Sequence, residues 1–157
     1  MTEDPSAQHL VQDRSGIDRI LAGTRRVAVL GVKPEARSDQ PAFYVAKYLQ
    51  DAGLEVVPVP VHYPEVQIIL GVPVHRRLVD VPGAIDLVDV FRRPADLAGH
   101  IDDILAKRPR AVWLQLGIRD DDFARRVADA GIDVVQDRCL MVEHRRWAAT
   151  RRATPAP

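Results

Sequence analysis

The chain is poor in cysteine, in aromatic side chains and in charge imbalance. Cys139 is the single cysteine in 157 residues, which excludes an internal disulfide or a cysteine-based metal cluster and favours a reducing compartment. Lys plus Arg and Asp plus Glu each total 22, so the formal charge is zero. Non-specific nucleic-acid binding needs a basic excess, so no nucleic-acid partner is expected. No apolar run approaches the roughly 18 residues of a bilayer span, and the first residues carry no basic, apolar signal segment. Cytoplasm is the expected location, without membrane association. The histidines at 9, 62, 75, 100 and 144 show no His-x-x-x-His or other zinc spacing. No Gly-x-Gly-x-x-Gly, the dinucleotide fingerprint, occurs anywhere.

What is present is a repeating pattern. A 46% hydrophobic, 28% charged chain of this length fits one globular domain. A helix is expected over 14–22, ahead of the apolar run 26–30 that ends at Gly31. Pro41 suits the first turn of a following helix, where its missing N–H has no partner to lose. Phe43, Val45, Ala46, Leu49 and Ala52 give that helix an inner stripe ending at Gly53. Further apolar runs at 56–59, 86–91, 111–115 and 132–135 read as strands covered on both faces. Helices are expected over 94–107, 121–130 and 140–147. Pro58 cannot donate to a ladder, so it belongs at a ladder exit or with its nitrogen turned from a partner. Residues 61–83 are broken by Gly71, Pro73, Pro82 and Gly83, and suggest turns of helix near 65–70 and 76–80.

Five strands alternating with helices argue an α/β fold with a doubly wound, mostly parallel five-stranded sheet, Rossmann-like, with helices on both faces. Right-handed crossovers give 3-2-1-4-5 as the simplest order. The ligand crevice is then expected between the carboxyl ends of the first and fourth strands. Residues 13–148 form the expected domain, with flexible tails over 1–12 and 149–157.

A strand, a glycine and a polar loop ahead of a helix suggest a phosphate-bearing ligand. Gly31 serves either close approach of that ligand or the turn alone. Lys33, Arg37 and Ser38 in its loop offer cationic and hydroxyl contacts. Pro60, His62 and Tyr63 follow the second strand, with none of the acidic residues that accept ribose hydroxyls in dinucleotide enzymes. Arg92 and Arg93 meet a diphosphate or stand as solvated charges at a helix start. Cys139 and His144 pair as nucleophile and base only if the fold brings them together, and a small buried residue is the simpler reading of Cys139. Asp120, Asp121 and Asp122 read as helix-start solvation in preference to a magnesium site. Trp113 reads as core, and Trp147 as docking on the domain or on a partner.

Several segments carry a family resemblance: Val27-Ala28-Val29-Leu30-Gly31, Asp86-Leu87-Val88-Asp89-Val90-Phe91-Arg92, Val112-Trp113-Leu114-Gln115-Leu116-Gly117 and Asp137-Arg138-Cys139. Over residues 20–147 the chain resembles the small stand-alone CoA-binding proteins, similar to the CoA-binding domain of the succinyl-CoA synthetase α subunit. The resemblance implies coenzyme A or an acyl-CoA as ligand, bound without chemistry of the chain's own. It implies a diphosphate near Gly31, Val32, Lys33 and the loop through Arg37 and Ser38, and adenine near Pro60, His62 and Tyr63. Phe91 and Arg92 form one wall by the same resemblance, with Gln115 and Gly117 on the far side. The synthetase's phosphohistidine belongs to a second domain, so no ligase chemistry is carried over. The alternatives are an enzyme using another nucleotide such as NAD(P), and an interaction module with a decayed crevice whose Trp147 and basic tail bind a protein. A small-molecule nucleotide ligand is the expected partner, and a homodimer is open.

Overall fold

The computed structural model describes residues 4–153. Five parallel strands, β1 (Arg26–Leu30), β2 (Glu55–Val59), β5 (Leu87–Val90), β6 (Ala111–Leu114) and β7 (Asp133–Val135), form the main sheet. A small antiparallel pair, β3 (Ile68–Ile69) and β4 (Val72–Pro73), lies in the crossover from β2 to β5. The helices are α1 (Arg14–Ala22), α2 (Pro41–Asp51), α3 (Ile101–Lys107), α4 (Asp121–Asp129) and α5 (Leu140–Ala153).

Each strand buries both faces, and its alternate side chains feed two cores. Ala28, Leu30, Val88 and Val90 meet Leu78, Leu97, Ile104, Phe123 and Val127 on the side of α3 and α4. Val27, Val29 and Leu87 meet Ile17, Phe43, Val45, Leu49 and Leu140 on the side of α1, α2 and α5. At about 1.5–3 kcal/mol for each fully buried large aliphatic side chain, these two layers hold the sheet. The doubly wound parallel fold expected from the strand pattern is the fold observed.

Its strand order differs. The sheet runs β2-β1-β5-β6-β7, which is 2-1-3-4-5 in expected strand numbers, in place of 3-2-1-4-5. The reason is Pro58. In the expected order β2 lies inside the sheet and needs donors on both edges. Here β2 is the edge strand, and the Pro58 carbonyl turns outward to accept the His75 N–H at 3.0 Å. The N–H that proline lacks would point to that same side, where no strand calls for it. The reversal of direction therefore falls between β1 and β5, and the crevice moves with it.

Local expectations also shift. Residues 65–70 contain no helical turn. Leu70 and Gly71 both have positive φ (54° and 73°) and close the tight β3–β4 hairpin, as primed two-residue turns require. Leucine is unfavoured there, and tertiary bonds hold it: its N–H donates to Glu35 at 2.9 Å and its carbonyl accepts from Gln50 at 3.0 Å. The second expected turn is a 3₁₀ turn, Leu78–Asp80, and the 94–107 helix begins as a 3₁₀ segment, Pro94–His100. Ala52 is exposed beyond the end of α2.

At the chain ends, residues expected to be loose make contacts. Leu10 bridges Val134 beside β7, Val11 donates to the Val134 carbonyl at 2.9 Å, and Ser6 and Val11 are buried. α5 continues past 147 to Ala153. The remaining residues of both expected tails, 1–3 and 154–157, lie outside the described residues.

Candidate ligand cleft

The carboxyl ends of β1, β5 and β6 open onto a cleft of about 470 Å³. Its walls come from four short segments. Lys33 leaves β1; Phe91, Arg92 and Arg93 leave β5; Gln115, Leu116 and Gly117 leave β6; and Cys139 immediately precedes α5. Pro41, Ala42 and Tyr44 bring the amino end of α2 to the same opening. Two helices therefore begin at this cleft, and helix starts carry partial positive charge. The N-cap of α2, Gln40, makes no side-chain cap bond; its amide oxygen instead accepts from the Lys33 ammonium. Three cations, Lys33, Arg92 and Arg93, line the cleft and no carboxylate does.

A smaller pocket of about 220 Å³ adjoins it, lined by Gly31, Val32, His62 and Tyr63, with Lys33, Phe91, Arg92 and Arg93 as the shared wall. Arg92 is held in place from three sides. Its Nε donates to His100 Nε2 at 3.2 Å, Nη1 lies 3.4 Å from His62 Nε2, and Nη2 lies 3.5 Å from Asp96. Burial, and then the Arg92 charge, push His100 below the ordinary histidine range, so it accepts this bond as a neutral ring. Arg76 fixes the outer rim by donating to the carbonyls of Tyr63 and Pro64, both at 3.1 Å, and of Val66.

The far wall is built by hydrogen bonds between the β6 exit and the segment before α5. Gln115 is 4% exposed, and its Oε1 accepts the first N–H of α5, from Leu140, at 2.9 Å. Gly117 donates to Asp137 Oδ1 at 2.7 Å, and the Trp113 indole donates to the Arg138 carbonyl at 2.8 Å. These bonds tie the β6 exit to the start of α5 and set Cys139 on the cleft wall. Below the floor, Asp89 sits in β5 with both carboxylate oxygens buried and without a partner. Burial raises its pKa well above the ordinary carboxylate range.

Of the residues singled out in the sequence, Lys33, Phe91, Arg92, Gln115 and Gly117 line the large cleft. Gly31, Val32, His62 and Tyr63 line the adjoining pocket. Arg37 and Ser38 lie exposed at the end of a 3₁₀ turn (Glu35–Arg37) and line neither; Pro60 is buried and lines neither. Gly31 has φ 87°, and a Cβ there would stand 2.4 Å from the Phe91 carbonyl oxygen. The close approach it permits is thus between two strand exits. Cys139 and His144 are not paired: His144 Nδ1 bonds the Tyr48 hydroxyl at 2.9 Å. Asp120 accepts the Phe123 N–H at 3.0 Å and caps α4, as its position implied. Trp113 is core, and Trp147 packs on the α1–α2 side of the domain.

Gln40, Tyr44, Leu116 and Ile118 are cleft residues that sequence reasoning did not single out. Gln40 carried a readable signal, being the polar residue just before a helix-starting proline. Leu116, 69% exposed on the lip, carried none.

Residues 25–145 match the family model described as a CoA binding domain. The chain belongs to that family. A Bacillus subtilis (strain 168) relative, the uncharacterized protein YneT, is 33% identical over 131 residues, covering 83% of this chain and 93% of the relative. A solved Thermus thermophilus structure, cell-free ID.343, is 39% identical with a TM-score of 0.79, covering 87% of this chain and 99% of that one. A hypothetical protein from Pyrococcus horikoshii OT3 is 27% identical with a TM-score of 0.78, covering 94% and 98%. For this CoA-binding-domain protein, both structures cover most of the chain.

Proposed function

We propose that the cleft binds coenzyme A or an acyl-CoA and performs no covalent chemistry of its own. The observation that carries this is the meeting of two helix starts and three cations at one opening whose lining holds no carboxylate, in a chain of the CoA-binding-domain family. The diphosphate lies at the start of α2 beside Lys33 and Arg92, where the helix dipole and cations act together. The adenosine end occupies the pocket of His62 and Tyr63. The pantetheine arm follows the apolar wall of Phe91, Leu116 and Ile118 toward Gly117 and Cys139. Binding without catalysis is favoured because Cys139 on the cleft wall has no histidine beside it there to act as its base.

Calorimetry against CoA, desulfo-CoA, NAD and NADP tests the proposal. CoA and desulfo-CoA bind in the micromolar range, and Lys33→Ala or Arg92→Ala weakens both about tenfold or more, as expected for one charge-assisted hydrogen bond. Arg37→Ala leaves affinity unchanged. Equal affinity for NAD would move the assignment to another nucleotide cofactor, and no heat with any of the four would remove it.

A further inference from the structure

The opposite end of the sheet carries a second charge-biased groove. It measures about 330 Å³ and lies where α1 and α2 end, against the outer half of α5. Arg25, Arg151 and Arg152 line it, together with His144, Trp147 and Leu54, and no carboxylate does. Two other arginine-bearing grooves of this molecule are balanced. The one at the foot of β5 and β6 pairs Arg19 and Arg110 with Asp86 and Asp133. The one beside α3 pairs Arg76 and Arg77 with Asp102 and Asp103. In a chain of zero formal charge, this groove shares with the cleft of Lys33, Arg92 and Arg93 the pattern of three cations and no acid.

Its aromatic wall is also pre-built. The Tyr48 hydroxyl meets His144 Nδ1 at 2.9 Å, the Tyr48 and His144 rings pack at 5.5 Å, and His144 and Trp147 pack at 5.5 Å. A guanidinium closes each end of this row, Arg145 at 5.4 Å from the Tyr48 ring and Arg151 at 4.9 Å from the Trp147 ring. Ring contacts orient a guanidinium without using its N–H donors. Among the described residues, the side chains of Arg25, Arg151 and Arg152 have no hydrogen-bond or ion-pair partner. Of the three, Arg151 is oriented by a ring contact, and a donor held in advance and unspent loses little freedom on meeting an anion.

We infer that this groove is a second ligand site, separate from the strand-exit cleft, for a small phosphate-bearing molecule. The arginines take the phosphate, and Trp147 with Leu54 supplies the apolar side. The inference does not rest on the CoA proposal. A competing role for the same cations is to offset the carbonyl ends of α1 and α2, and the experiment separates the two.

Trp147 is partly exposed in the groove and Trp113 is fully buried, so intrinsic fluorescence of the full chain reports on this site. Pyrophosphate and ADP are titrated separately, with Trp147→Phe as the control for the reporter. The expected result is a saturable change with at least one of them, lost in Trp147→Phe. Affinity falls tenfold or more in Arg25→Ala/Arg151→Ala and holds in Lys33→Ala. Tighter binding of ADP identifies a nucleotide as the occupant, and equal or tighter binding of pyrophosphate identifies the phosphate group alone. Arg152→Glu, at an exposed position, gives the same loss if the double variant fails to fold by circular dichroism. No saturable response in the wild type would overturn the inference. So would a response surviving the arginine changes or abolished by Lys33→Ala.

Discussion

Asp89 and Gly31 show how far a residue type can be read without its surroundings. Asp89 is a charged residue type within an apolar strand segment, and it is fully buried in the centre of the sheet, aligned with Val29 and Trp113. Desolvation with no compensating partner pushes its carboxyl well above the ordinary carboxylate range. The sign of the consequence follows. Below about pH 4 the group is protonated in folded and unfolded chains alike and adds no pH dependence. Above that, the unfolded chain releases the proton while the folded one retains it, so stability falls as pH rises, by up to about 1.4 kcal/mol per pH unit. Asp89→Asn stays neutral in both states. Urea denaturation from pH 4 to 8 should show the stability of the wild type falling relative to this variant as pH rises; equal slopes would refute the account. Gly31, by contrast, looks like a phosphate-loop glycine. Its positive φ and its contact distance to Phe91 show that backbone packing alone demands it.

At the scale of elements, the helices were legible and the irregular crossover was not. α1 spans the residues its spacing indicates, α2 begins at its proline, and α4 is capped by Asp120. Each boundary is written in local chemistry. The β3–β4 hairpin is not, because its turn places a leucine at positive φ and is held by Glu35 and Gln50 from elsewhere in the chain. The start of α5 is another nonlocal device, since its cap is Gln115, 25 residues earlier. Gln115→Ala removes that acceptor and should destabilise the fold by about 1 kcal/mol, the usual worth of a helix cap. It should also raise the rate at which Cys139 reacts with a thiol reagent, through loosening of the helix start. An unchanged labelling rate would count against this coupling.

For the whole molecule, cleft and fold form a single equilibrium. A ligand that binds only the folded chain stabilises it by mass action, by about 2.7 kcal/mol at a hundredfold excess over Kd. CoA at that excess should therefore raise the thermal midpoint by several degrees, with Lys33→Ala reducing the shift at the same CoA concentration. A midpoint unmoved by CoA would contradict the proposed ligand. Five of the cleft residues, Lys33, Phe91, Arg92, Gln115 and Gly117, were visible in advance because they follow strands, and parallel strands present their carboxyl ends together. Arg37 and Ser38, in the same loop as Lys33, line neither pocket, because loop position in sequence does not fix direction in space. The sequence by itself determined the α/β class, the strands and most helix limits, since hydrophobic period, proline and glycine act over a few residues. Only the tertiary structure decided the strand order, the site of the crevice and the burial of Asp89. Those depend on which edges pair across long stretches of chain, and a proline missing one N–H settled the pairing at β2.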